Sequence, residues 1–151
     1  MNAPAVMHVS LYVRELERTM TFYDAFFGRE PEKIEPGYVK YHLEDPALVI
    51  SFIQKPERVQ PHFGHLGFRV DSPAELEERL AAAKEKGLLG LVETGTACCY
   101  AVQDKFWATD PDGHQWEVYL FHRDSAFNDP HYDLQSEEED AQSGAPDAAC
   151  C

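Results

Sequence analysis

The chain has 151 residues, enough for one domain or two small modules sharing a core and too few for an enzyme with a separate cofactor domain. Hydrophobic residues make up 44% of it, which supports a packed interior, and no apolar run approaches the roughly 20 residues of a membrane-spanning helix. Thirteen Lys and Arg against 27 Asp and Glu give a net charge of -14, which disfavours nucleic acid and anionic membrane surfaces and leaves a small-molecule ligand as the expected partner.

Half of that charge lies at one end. Residues 122–151 carry eight acids and one base, including the run Glu137-Glu138-Glu139-Asp140, with little apolar content. The expected folded unit is therefore a single domain over 5–123, followed by an acidic tail, 124–151, that is mostly disordered.

From the N-terminus, His8-Val9-Ser10-Leu11-Tyr12-Val13 reads as a strand of period two, with Val9, Leu11 and Val13 on one face and His8, Ser10 and Tyr12 on the other. Leu16, Met20, Tyr23 and Phe27 then form a helical stripe that stops at Gly28. Strand-like runs follow at 37–43 and 47–53, separated by the turn Glu44-Asp45-Pro46.

The pattern then repeats after about 57 residues. His65-Leu66-Gly67-Phe68-Arg69-Val70 is again a strand led by histidine. Ser72-Pro73-Ala74-Glu75 opens a helix as a capping box, Leu76, Leu80 and Ala83 form its buried stripe, and Gly87 ends it. Runs at 101–108 and 115–121 flank the turn Asp110-Pro111-Asp112-Gly113. The simplest account is an α+β fold of two β-α-β-β-β modules, about 7–60 and 62–121.

Three polar residues stand on faces opposite the apolar ones. Glu117 sits inside Trp116-Glu117-Val118-Tyr119-Leu120, where an acid is costly unless paired or ligating. If the modules curl their polar faces inward, His8, His65 and Glu117 converge as two imidazoles and a carboxylate; otherwise they are hydrogen-bonded or surface residues. The matching place in the first module falls near Ser51, a poor ligand, so three protein donors would leave positions for substrate or dioxygen, as in non-haem Fe(II) oxygenases.

The cysteines form two adjacent pairs, Cys98-Cys99 and Cys150-Cys151, and the start of the chain has no secretory signal, so the expected compartment is the reducing cytoplasm and the expected state free thiols. Neighbours on a flat strand point to opposite faces, so Cys98 and Cys99 can grip one atom only where the backbone turns. Gly87, Gly90 and Gly95 allow a loop there, and the segment 88–106 is a candidate for motion over substrate. Soft thiolates suit a thiophilic ion such as trivalent arsenic; two small buried residues are the plainer alternative. Cys150 and Cys151 in the tail could capture or hand over such an ion, or be incidental. Tyr100, Gln103 and Lys105 adjoin the thiols and could line a substrate site; Tyr38 and Tyr41 could wall the cavity or belong to core and surface. His42, His62, His114, His122 and His131 read as surface or turn histidines.

The repeat, the two strand-leading histidines and the segment DPDGHQWEVY at 110–119 resemble the vicinal oxygen chelate superfamily, over roughly residues 7–121. Within it, Gly95 to Lys105 closely resembles the ArsI-type carbon-arsenic lyases and the cadmium-induced CadI-like proteins. The resemblance implies a cytoplasmic enzyme of organoarsenical detoxification. It would be an Fe(II)-dependent dioxygenase, with O2 as co-substrate, that cleaves the carbon–arsenic bond of trivalent organoarsenicals such as methylarsonite to release arsenite. Carried over, His8, His65 and Glu117 would bind the metal and act in catalysis, with Cys98, Cys99, Tyr100 and Lys105 binding substrate, in a monomer or homodimer. Some relatives use Gln where this chain has His8. Two other functions stay open at this point: thiol-based sequestration of arsenite or cadmium without catalysis, and a glyoxalase-type lyase or transferase using Zn, Ni or Mn.

Overall fold

The computed structural model describes residues 5–98 and 101–124, apart from the side chain of Cys98. Strand β1 (Met7–Val13) leads into helix α1 (Leu16–Phe27), followed by β2 (Lys33–Glu35), β3 (Tyr38–Leu43) and β4 (Leu48–Gln54). The second module repeats the order as β5 (His65–Val70), α2 (Pro73–Glu85), β6 (Leu89–Cys98), β7 (Ala101–Thr109) and β8 (Gln115–Asp124). Each module forms its own four-stranded sheet, ordered β1-β4-β3-β2 and β5-β8-β7-β6. In both, the first and last strands run parallel and the rest antiparallel. The two β-α-β-β-β modules are therefore those expected.

The helices start and stop as their residues dictate. Ser72 caps α2 by accepting a hydrogen bond from the Glu75 amide, while the Glu75 carboxylate reaches back to the Asp71 amide, one residue earlier than in a simple capping box. Gly28 takes the left-handed conformation that ends α1.

Two strands were not foreseen. β2 is three exposed residues, too short for periodicity to register. β6 covers Leu89–Cys98, much of the segment expected to be a glycine-rich loop, as the edge strand of the second sheet. Its glycines serve the pairing instead of breaking it. Gly90 passes so near β7 that a Cβ there would stand 2.9 Å from the Trp107 carbonyl oxygen, and Gly95 has φ +62° in an irregular stretch of the register.

The core joins the modules. Tyr23, Phe26 and Phe27 of α1 pack on Phe68 and Trp116 of the second sheet as well as on Tyr41 and Phe52 of the first. Tyr23 donates to Asp110 at 2.8 Å and accepts from the Trp116 indole at 2.9 Å. Arg14 adds a salt bridge of 2.9 Å to Asp112. His114 is a correction: it lies in the turn, as expected of one of these histidines, yet it is buried and its Nδ1 is 2.7 Å from Asp110. Among the described residues no helix is long and apolar enough to cross a membrane. The acidic tail, from residue 125 on, lies outside the described residues.

Candidate functional site

Alternation decides what each sheet offers on the face away from the helices. In the second sheet β5 contributes His65 and β8 contributes Glu117, while Leu66, Phe68, Trp116 and Val118 turn to the core. His65 pairs with Gln115 and Gly67 with Glu117 across the parallel strands. The two side chains meet: His65 Nε2 is 3.2 Å from Glu117 Oε2.

Glu117 has a second neighbour. Its Oε1 is 2.9 Å from Lys105 Nζ, and the Lys105 side chain is only 1% exposed. Trp107, two residues along β7 and so on the same face, sets its ring edge-on to His65 at 4.9 Å and lies 5.6 Å from Lys105 Nζ. The Trp107 indole donates to Glu93 Oε2 at 2.7 Å, and Glu93 Oε1 is buried without a hydrogen-bond partner among the described residues. Glu93 and Lys105 are register partners across β6 and β7. Trp107 and Glu93 were missed from sequence, although the alternation that selects Lys105 also selects Trp107.

The first sheet has the same register without the same chemistry. His8 pairs with Val49 and Ser10 with Ser51, so Ser51 holds the place that Glu117 holds in the second module. Ser51 is buried, and neither strand brings an acid to that position. His8 is exposed at the start of β1. Among the described residues no group of three His, Cys, Asp or Glu comes together, so within one chain His65 and Glu117 meet and His8 does not join them.

An imidazole nitrogen and a carboxylate oxygen turned towards each other in a partly buried site are two donors of the kind a divalent metal takes, and they fit part of such a centre. Cys98 ends β6 as the register partner of Ala101, at the far end of the hairpin that carries Lys105. Cys99, Tyr100 and the side chain of Cys98 fall outside the described residues.

The family profile described as Glyoxalase/Bleomycin resistance protein/Dioxygenase superfamily matches residues 5–118. The chain belongs to this superfamily. A protein of Thermomonospora curvata named trivalent organoarsenical cleaving enzyme is 35% identical over 96% of this chain and 87% of its own length. One of the same name from Bacillus sp. (strain MD1) is 42% identical over 74% of this chain and 70% of its own. The cadmium-induced protein CadI of Mycobacterium tuberculosis is 39% identical over 79% of this chain and 78% of its own.

Solved structures of superfamily members share the fold. A glyoxalase/bleomycin resistance protein/dioxygenase from Alicyclobacillus acidocaldarius matches with a TM-score of 0.64 at 15% identity, over 78% of this chain and 91% of that one. A glyoxalase/bleomycin resistance protein from Catenulispora acidiphila gives 0.60 at 20% identity, over 78% and 98%. The polar cluster of His65, Glu117, Lys105, Trp107 and Glu93 belongs to the second of the two modules.

Proposed function

We propose that this superfamily member is an Fe(II)- and O2-dependent enzyme that cleaves the carbon–arsenic bond of trivalent organoarsenicals such as methylarsonite and releases arsenite. The observation that carries the reading is the His65–Glu117 pair, 3.2 Å apart, in a chain 35–42% identical to proteins named for cleaving trivalent organoarsenicals.

In this reading His65 and Glu117 hold the iron from one chain, and His8 completes the set from a second copy. Support for that comes from the exposure of His8 beside Met7, 65% exposed, and from β1 and β5 both being sheet edges. Bound iron would supply a redox-active centre for oxidation of the substituent carbon by dioxygen. The Cys98 and Cys99 thiols hold arsenic, with Tyr100 and Lys105 lining the site, and the expected reducing compartment keeps the thiols free. Trp107 walls one side of His65 and limits water there. Ser51, where a fourth protein ligand could have stood, favours oxygen chemistry over glyoxalase-type isomerisation.

The test is arsenite release from methylarsonite by protein loaded anaerobically with Fe(II), with and without oxygen, for the native chain and a Cys98→Ala, Cys99→Ala double variant. Release should require both oxygen and the thiols; equal release without oxygen defeats the reading. If Glu117→Ala protected cells as well as the native protein does, thiol-based sequestration would replace it.

A further inference from the structure

The two oxygens of Glu117 have different neighbours. Oε2 faces His65 Nε2 at 3.2 Å, while Oε1 is held by Lys105 Nζ at 2.9 Å. A carboxylate left to itself can give a metal one oxygen or both. Here the second oxygen is already engaged by a buried ammonium. Both side chains of the pair are largely buried, Lys105 1% and Glu117 10% exposed, so separating them costs far more than breaking a surface pair.

Lys105 is itself confined. Trp107 lies 5.6 Å from Nζ, and that indole is fixed by its hydrogen bond to Glu93 Oε2. The same ring meets His65 edge-on. A chain of contacts from Glu93 through Trp107 to Lys105 and His65 thus sets both donors of the pair from behind.

We propose that Lys105 is a positioning residue that restricts Glu117 to giving a metal a single oxygen, Oε2. This rests on the reading of His65 and Glu117 as metal donors. A carboxylate bound through both oxygens takes two coordination positions; holding Oε1 on Lys105 leaves one of them for substrate. The ammonium also opposes the metal's charge, so the site gains an open position at the expense of affinity.

Co(II), whose visible spectrum reports coordination number, is the probe. The native protein and its Lys105→Met, Lys105→Arg, His65→Ala and Glu117→Ala variants are titrated with it, and the Co(II)-loaded native protein is crystallised. Expected are one Glu117 oxygen on cobalt with the other on Lys105, and for Lys105→Met at least about tenfold tighter binding with a weaker visible band as coordination number rises. Lys105→Arg, which keeps the charge, should resemble the native protein. A purely structural ion pair predicts the opposite for Lys105→Met, binding that is weaker or unchanged with the same spectrum, and that result overturns the proposal. So does a native crystal structure with both Glu117 oxygens on cobalt, a result that does not depend on any variant folding. If His65→Ala and Glu117→Ala bind Co(II) as tightly as the native chain, the metal reading itself falls and takes this proposal with it.

Discussion

Gly67 lies so close to Glu117 that a Cβ at position 67 would stand 2.7 Å from the Glu117 carbonyl oxygen and 3.2 Å from its Cβ. The neighbouring strand backbone cannot step aside without breaking the β5–β8 register, so the glycine lets Glu117 sit directly across from it. Gly67→Ala should cost about 1–3 kcal/mol through overpacking. If Glu117 is a metal donor as proposed, metal affinity should also drop roughly tenfold or more, because the strain falls on the backbone that aims it. Thermal melts and metal titration check both; an alanine variant with native affinity would mean that Glu117 tolerates displacement.

Asp110 ties the turn before β8 to α1. It accepts from Tyr23, from the amides of Asp112 and His114, and lies 2.7 Å from His114 Nδ1. Burial by itself would raise its pKa, but His114 and Tyr23 outweigh burial and hold the carboxyl below its ordinary value. A depressed folded-state pKa gives stability that is present above the unfolded value, about 3.9, and is lost as pH falls through the folded one. Asp110→Asn should therefore cost about 2 kcal/mol near neutral pH and progressively less below about pH 4. Denaturant unfolding of both proteins between pH 3 and pH 7 measures the difference; a gap that stays constant with pH would assign the cost to shape alone.

The polar faces of the strands were legible because period-two alternation is a local property. His8, His65 and Glu117 were found on polar faces by counting along their own strands, and the equivalence of Ser51 with Glu117 follows in the structure from matching register. What could not be read depends on contacts between distant segments. β6 escaped because Gly90 and Gly95 look like loop residues until β7 is beside them. The burial of His114 escaped because its partner Asp110 and the core that covers both are assembled only by the α1 packing. That His8 stays apart from His65 within one chain depends on how two whole sheets are placed, which no strand pattern encodes.

Glu93 should respond differently to two substitutions. Its Oε2 accepts from the Trp107 indole, while Oε1 is buried with no hydrogen-bond partner among the described residues. Glu93→Gln keeps an acceptor for the indole and removes a buried charge, so stability should stay within about 1 kcal/mol of native. Glu93→Leu leaves the Trp107 N–H without an acceptor and should cost about 1–3 kcal/mol. Chemical denaturation gives the stabilities. Equal losses for both variants would show that the carboxylate charge, and not the hydrogen bond to Trp107, is what the site uses.

The placement of His8 leads to a complementation experiment. If His65 and Glu117 from one chain are completed by His8 from a second copy, each of the two sites in a symmetric dimer draws on both chains. Homodimers of His8→Ala lack a donor at both sites, as do homodimers of Glu117→Ala. In a mixed dimer, one site collects both defects and the other collects none. Random exchange of equal amounts should thus restore about a quarter of native activity, since half of the dimers are mixed and each has one intact site. The measurement is arsenite release after the two inactive variants are mixed and allowed to exchange. Intact sites built within single chains would give no recovery on mixing, and that outcome would return His8 to the same chain as His65, by a rearrangement of the two sheets.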